Sequence, residues 1–306
     1  MSSQTPIGQD ALKAKGWLGA HKWLLIRRAS QLTILALFLA GPLAGVWIVK
    51  GNLTSSLTLG VLPLSDPFVL LQSLFAGHVA AGTALLGAAI VLAFYALFGG
   101  RIYCSYVCPM NVVTDASRWL AKRFKLSKGW QPARETRLYV LGGVMAAALV
   151  TGVMAWEMLN PVTMLHRGMV YGMGYVWTVV AAVFVFDLVV SRRGWCGHLC
   201  PMGAFYATLG SVSLVRVSAS KRSQCNDCMD CFAVCPEPHV ISPALRGAQT
   251  GVGPVIQSGF CTNCGRCIDV CAKDVFAFDL RFNNSAPADE GRINSEEKVS
   301  STQRAA

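Results

Sequence analysis

Four long apolar stretches, a repeated Cys-x-x-x-Cys-Pro pattern and eight further cysteines near the C-terminus together predict one architecture. It is an α-helical membrane protein of four transmembrane helices, arranged as a duplicated two-helix hairpin and followed by a small α+β domain that wraps metal clusters. Of the 306 residues 53% are hydrophobic and only 14% charged, and the mean hydropathy is +0.45. That is too apolar for a soluble domain of this size. All twelve cysteines fall into motifs, and none is stray.

Residues 1–28 make a basic N-terminal segment, with Lys13, Lys15, Lys22, Arg27 and Arg28 against a single acid, Asp10. Residues 29–49 give about twenty nearly uncharged positions, enough for a hydrocarbon core of roughly 30 Å. A secretory signal would have a shorter apolar core and a small-residue cleavage site, so this is read as an uncleaved first span, kinked at Pro42. A polar loop follows over 50–67. The second span runs over 75–98 and contains Gly77, Gly82 and Gly87, small residues that let helices approach closely in a membrane. The first Cys-Pro loop occupies 104–109. Residues 115–126 alternate cations with Trp119, Leu120, Phe124 and Leu126, a pattern that suits a helix on the membrane surface or one packed on neighbouring protein. The third and fourth spans cover 138–156 and 172–190, and the second Cys-Pro loop covers 196–201. The membrane domain is thus 29–211 and the cysteine-rich domain 212–282. Residues 283–306 are a polar tail of the kind that remains disordered.

Basic residues near span ends set orientation. The 99–137 loop carries Arg101, Arg118, Lys122, Arg123, Lys125, Lys128, Arg134 and Arg137, whereas the opposite side offers only Lys50 and Arg167. Both termini, both Cys-Pro pairs and the cysteine-rich domain are therefore expected in the cytoplasm of a bacterial inner-membrane protein. The net charge of +11 is concentrated beside the apolar spans, which argues against nucleic-acid binding.

The two halves repeat. A shift of 92 residues lays Arg101 on Arg193, Cys104 on Cys196, Cys108 on Cys200, Pro109 on Pro201 and Met110 on Met202. Upstream, Asp66-Pro67 matches Asn160-Pro161 at a shift of 94. Parallel repeats are related by an axis along the membrane normal, so the two Cys-Pro loops are expected to face each other across it.

The cysteine-rich stretch reads Cys225-x-x-Cys228-x-x-Cys231-x-x-x-Cys235-Pro236, then Cys261-x-x-Cys264-x-x-Cys267-x-x-x-Cys271. In two-cluster ferredoxins with this spacing, the fourth cysteine of each run ligates the other cluster. Carried over, Cys225, Cys228, Cys231 and Cys271 hold one [4Fe–4S] cluster; Cys261, Cys264, Cys267 and Cys235 hold the second. Paired Cys-x-x-Cys also builds zinc sites, but a zinc ribbon leaves no use for a third cysteine two residues on. Ala272 stands after Cys271 where Pro236 follows Cys235, which frees that turn without losing a ligand.

Four spans, Arg-x-Tyr-Cys-Ser-Tyr-Val-Cys-Pro, Gly-Trp-Cys-Gly-His-Leu-Cys-Pro-Met-Gly-Ala and a terminal two-cluster ferredoxin closely resemble the NapH/MauN family. Short stretches such as Gly77-His78, Trp156-Glu157, Asn160-Pro161, Cys228-Met229-Asp230-Cys231-Phe232 and 234–240 look most like its NapH branch. The resemblance implies the membrane component of a quinol dehydrogenase that serves periplasmic nitrate reductase. It works there with the periplasmic iron–sulfur protein NapG and a membrane-anchored c-type cytochrome. The MauN branch offers a different role: a membrane scaffold, maturation factor or electron supply for another periplasmic redox enzyme. Cytoplasmic clusters would then need a partner to carry electrons across, or would serve the cytoplasmic pool.

A quinol head group needs a hydrogen-bond partner and a proton acceptor. His78 and Glu157, at the outer ends of spans two and three, are the candidates, because ionisable groups near lipid are functional by default. Asp187 is expected to pair with Arg192 and Arg193. Cys104, Cys108, Cys196 and Cys200 supply four thiols on one face, either as a shared zinc or iron–sulfur site or as two redox pairs activated by Arg101 and Arg193.

Overall fold

The structure is a computed structural model that describes residues 6–283, except 125, 127–129, 131 and 192; the expected polar tail from 284 onward, Lys125, Lys128 and Arg192 lie outside the described residues. The first helix, α1, spans Gln9–Ala44 and is broken at Gly16, whose φ is 72° and ψ 174°. It ends on Gly45 in the left-handed conformation, where glycine has no Cβ penalty. From Gln9 onward the basic segment 1–28 belongs to α1, because a docking partner satisfies its N-terminal backbone.

The region expected to be a polar loop folds into a three-stranded antiparallel sheet: β1 (Val49–Gly51), β2 (Ser55–Thr58) and β3 (Leu62–Ser65). Asn52 Oδ1 accepts the N–H groups of Thr54 and Ser55, both at 2.9 Å, and so shapes the first turn. Helix α2 (Pro67–Phe75) follows, capped by Asp66 with Pro67 at its first position. A turn through Gly77 and His78 then leads into α3 (Gly82–Phe98). The second span, expected as one run over 75–98, is thus interrupted. Gly87 serves the sheet rather than another helix: a Cβ there would meet the backbone of Pro63 and Ser65 at 3.0 Å.

The remaining elements repeat this plan. Helix α4 (Met110–Arg123) follows the first Cys-Pro loop, then come α5 (Thr136–Thr151), α6 (Pro161–Tyr171) and α7 (Val176–Val185). Helix α6 is capped by Asn160 with Pro161 at its first position, as α2 is by Asp66 and Pro67. Helix α7 passes into a π-turn over Phe186–Val190, and α8 (Pro201–Gly210) follows the second Cys-Pro loop. Among the described residues one helix, α1, is long and apolar enough to cross a membrane; α3, α5 and the stretch Val176–Val190 are shorter apolar helices. Four helices of full span length were expected. The shortening comes at the ends away from the Cys-Pro loops, where left-handed Gly77 precedes α3, Gly152 ends α5 and Gly172 precedes α7.

The cysteine-rich unit begins with β4 (Val215–Ser218), contains α9 (Asp230–Val234), α10 (Ile241–Arg246) and α11 (Arg266–Val270), and closes with β5 (Ala277–Leu280), antiparallel to β4. Its core buries Val217, Val240, Ile241, Ala244, Ile256, Val275 and Phe276.

Two carboxylates, Glu237 buried and Asp115 half-buried, lock this unit to the rest. Glu237 Oε1 accepts from Arg101 Nη1 at 2.9 Å and from Arg137 Nη1 at 2.8 Å, and Arg137 also lies 3.9 Å over the Phe260 ring. Asp115, on α4, receives Arg28 of α1, Arg193 and Arg266 at 2.6–2.9 Å. Those guanidiniums overcome burial and hold its carboxyl down at about 2. Helix α1 adds Trp23 and Leu24, whose N–H groups reach Asp269 at 3.0 Å, and Gly8, whose N–H reaches Asp230 at 2.9 Å. Arg118 of α4 donates to the carbonyls of Ala233 and Val234. Helix α4 therefore packs on the cysteine-rich unit, while Trp119 and Phe124 on it remain exposed. The N-terminal half of α1, both Cys-Pro loops and the cysteine-rich unit gather at one end of the molecule.

Replacing Glu237 with Ala strands two buried guanidiniums. The expected loss is about 3–5 kcal/mol, read as a lower denaturation midpoint and as earlier proteolytic release of the segment after residue 212.

Candidate functional site

Each cysteine run curls through two left-handed residues at matching places. In the first they are Asp227 (φ 53°) and Met229 (φ 64°); in the second, Asn263 (φ 46°) and Gly265 (φ 71°). A short helix follows in each, α9 and α11, and the fourth cysteine stands just beyond it in extended backbone. Gly265 is needed for a second reason, since a Cβ would lie 2.4 Å from the Trp23 ring.

The curls line two cavities. One is bordered by Cys225, Cys228, Cys231 and Cys271, the other by Cys235, Cys261, Cys264 and Cys267. The fourth cysteine of each run thus joins the other run's three, because α9 and α11 pack side by side and carry the chain across. Among the described residues no three His, Cys, Asp or Glu stand close enough to share a single metal ion. Four thiols around a cavity without single-ion spacing match the larger body of an iron–sulfur cluster.

The two cavities differ in setting. The second is turned toward the Cys-Pro loops: Phe260 O receives Arg101 at 2.9 Å, Thr262 O receives Ser105 at 3.1 Å, and Asn263 Nδ2 reaches Phe98 O at 3.2 Å. The first faces outward, and Cys228 is exposed.

The Cys-Pro loops share one conformation. Residues Tyr103–Val107 and Trp195–Leu199 each form a π-turn, closed by Cys108 N–H to Tyr103 O and by Cys200 N–H to Trp195 O, both at 2.9 Å. Cys108 (φ −66°, ψ 118°) and Cys200 (φ −71°, ψ 112°) are extended, as a residue before proline prefers. Pro109 and Pro201 then start α4 and α8. Each pair of cysteines is thus joined by a π-turn.

These loops bring their four thiols together. Cys196 feels the charge of Cys200, Cys108 and Cys104, and Cys108 that of Cys104 and Cys200. Burial pushes all four thiols up, Cys200 to about 12. Arg101 lowers Cys104 but does not overcome burial, and Arg193 is engaged by Asp115. A half-buried set of four such thiols, without single-ion spacing, suits the larger body of an iron–sulfur cluster, whose irons take the place of the thiol protons. A small cavity bordered by Cys104, Cys196 and Cys264 lies between this set and the second four-cysteine cavity.

The acids and histidine singled out in the sequence have other settings. His78 is exposed on the turn after α2. Glu157 receives Asn160 Nδ2 at 2.9 Å and Thr163 Oγ1 at 3.0 Å, contacts that tie down the start of α6. Asp187 accepts the Trp195 N–H at 2.9 Å. The expected pairing with Arg193 is not made, because that guanidinium has gone to Asp115. Sequence reasoning missed Asp66, which is 5% exposed. It caps α2 through the Phe68 N–H at 2.8 Å and receives the Tyr206 hydroxyl at 3.3 Å. The signal was present, since Asp66-Pro67 matches Asn160-Pro161 in the repeat with an acid in place of the amide.

Two family models match the chain: a 4Fe-4S binding domain over residues 80–127 and 173–219, and a 4Fe-4S dicluster domain over 224–275. The methylamine utilization ferredoxin-type proteins MauN of Methylorubrum extorquens and Paracoccus denitrificans are 53% and 54% identical. They align over 91% and 89% of this chain and 96% and 95% of their own lengths. The ferredoxin-type protein NapH of Escherichia coli is 45% identical over 91% of this chain and 96% of its own. Identity is thus higher to these MauN proteins, and the short NapH-like stretches do not sort the chain between the branches. No solved structure matches.

In the cluster-free chain, Cys104, Cys108, Cys196 and Cys200 are expected to alkylate at pH 7.5 several-fold more slowly than Cys228, because burial raises their pKa and limits reagent access, whereas Cys228 is exposed. Mass spectrometry after timed iodoacetamide quenching reads the difference.

Proposed function

The chain belongs to the family of ferredoxin-type iron–sulfur electron-transfer proteins that includes NapH and MauN, and from that premise we propose that it is the quinol-oxidising membrane component of a periplasmic redox system. The observation that carries this reading is the row of three four-thiol sites, leading from the Cys-Pro loops through the second cavity to the outward-facing first cavity. Cys261, Cys264, Cys267 and Cys235 would hold one [4Fe–4S] cluster, and Cys225, Cys228, Cys231 and Cys271 another. The third site, Cys104, Cys108, Cys196 and Cys200, would hold a further iron–sulfur centre, which the 4Fe-4S family match over both Cys-Pro loops supports. When bound, these groups supply reversible one-electron storage. The chain's own part is to bury the inner two sites behind Arg101, Arg137 and Glu237, and to leave the last near the surface beside Cys228 for a partner.

The helices would form the lipid-embedded domain, and the gathered end would face the cytoplasm, as the basic residues of 99–137 favour. Membrane-impermeant thiol reagents applied to intact cells are then expected to leave every cysteine of 99–137 and beyond 191 unlabelled; labelling from outside would reverse the orientation. A NapG-like iron–sulfur protein and a membrane-anchored c-type cytochrome are the partners expected for the NapH role, in which electrons reach periplasmic nitrate reductase. The higher identity to MauN favours a second reading, in which the same path supplies or matures a methylamine-utilisation enzyme.

Anaerobic purification, iron analysis and addition of a reduced quinol analogue test the shared core of both readings. Cys228→Ser and Cys264→Ser should each remove one electron paramagnetic signal and spare much of the other. Replacing the four Cys-Pro cysteines with Ser should lower the iron content by about four atoms if that site holds a cubane. Unchanged iron in that variant would sink the third centre, and clusters that quinol leaves oxidised would count against the donor.

A further inference from the structure

Beside the first Cys-Pro turn lies a cavity of about 290 Å3 between α1, the β1–β3 sheet and α3. About half of its lining is aliphatic, and one wall is formed by Asp66, Tyr95, Tyr103 and Tyr206. An apolar cavity of roughly 150 Å3 holds one benzene-sized ring, so this one accommodates a substituted ring and the start of a tail. The rings of Tyr103 and Tyr206 stack at 5.0 Å, and Tyr95 meets Tyr206 edge-on at 5.2 Å. Tyr103 and Val107 line the cavity and directly precede Cys104 and Cys108. Neither His78 nor Glu157 lines it.

Asp66 has no structural need to be an acid. Its Oδ1 caps α2, and the matching position in the second half, Asn160, caps α6 as well with an amide, through the Val162 N–H at 3.1 Å. A buried carboxylate is costly where an amide would serve. The carboxylate accepts the Phe68 and Val69 N–H groups and, at Oδ2, the long hydrogen bond from Tyr206, which of its roughly four acceptor positions leaves one toward the cavity. Facing it are Tyr206, Tyr95 and Tyr103, with Glu157 adding a weaker field. Burial lifts the Asp66 carboxyl to about 7, so it exchanges protons near neutral pH.

We infer that this cavity is the quinol site, with the hydroquinone ring against the tyrosine wall and Asp66 as the proton acceptor. The inference rests on the quinol-oxidising reading above and supplies its binding site and its base. The hydroquinone loses its two O–H bonds and becomes quinone. Its two electrons leave singly to two oxidised iron–sulfur centres, the first reached past Tyr103 and Cys104. Its two protons pass in turn to Asp66 Oδ2 and from there to water.

The test uses the full cluster-loaded chain in lipid nanodiscs, with decyl-benzoquinol as donor and a decyl azido-benzoquinone as photolabel. The label is expected within residues 34–38, 49–66 or 91–107, or at Tyr206. Val91→Trp, which fills the cavity, should weaken decyl-benzoquinone binding at least tenfold, about 1.4 kcal/mol, while dithionite still reduces every cluster. Asp66→Asn keeps the cap, as Asn160 does. It should bind the quinone within about threefold but slow quinol-driven cluster reduction about a hundredfold, and Asp66→Glu should recover part of the rate. Label elsewhere, unchanged binding by Val91→Trp, or a near-parental rate for Asp66→Asn in a chain that does oxidise quinol would overturn the site and leave the quinol reading standing. A parent chain that neither binds the quinone nor is reduced by the quinol would remove the reading itself, and the site with it.

Discussion

The structure depends on one constraint: a carboxylate and two guanidiniums buried where the cysteine-rich unit meets the helices. Glu237 immediately follows Pro236, which itself follows a predicted cluster ligand, Cys235. Arg101 stands three residues before Cys104, and Arg137 opens α5. Because each charge is buried, none of the three is tolerable alone. The pairing therefore fixes the distance between the Cys-Pro thiols and the second four-cysteine cavity. Arg101 also donates to Cys196 O at 3.3 Å, so the same side chain spans both Cys-Pro loops and the cysteine-rich unit. The Asp115 cluster repeats the device on the other flank, with arginines drawn from α1, the second loop and α11.

The repeat clarifies how function was divided over a duplicated scaffold. Arg101 and Arg193 occupy equivalent places, and each anchors a carboxylate from a different element, Glu237 or Asp115. Both halves keep the π-turn, the extended cysteine and the helix-starting proline, because four thiols can converge only if both loops present theirs alike. The upstream segments diverge. The first half inserts the β1–β3 sheet against α3 and carries an acid at its cap, whereas the second carries an amide there and stacks Trp156 on Trp195 at 6.1 Å. Symmetry serves the thiols, and asymmetry leaves one chemically distinct cavity beside them.

Electron transfer also gives the packing of α1 a purpose. Its N-terminal half lies along α11, with Trp23 against Gly265 and Phe278, and Gln31 reaches the Ser105 carbonyl at 2.9 Å. One helix thereby braces the cysteine-rich unit and the first Cys-Pro loop together, which limits relative motion between successive thiol sites.

What the sequence determined by itself was what spacing and periodicity encode locally. The cysteine intervals stated which thiols belong together, the 92-residue shift announced the paired loops, and the family motifs named the relatives. The apolar runs marked the helices, though not their interruptions, since mean hydropathy does not register a glycine that turns the backbone left-handed. The residues that decide the site's chemistry were settled only by tertiary structure. Asp66 read as a loop residue because its burial arises from Tyr206, distant in sequence, and from a sheet that forms only against α3. His78 and Glu157 looked suited to proton transfer, but their exposure and hydrogen-bond partners are properties of the fold. That Arg193, beside the second Cys-Pro loop, pairs with Asp115 on another helix was likewise visible only in the fold. Long-range electrostatics and desolvation decide such roles, and neither is visible until distant segments are brought into contact.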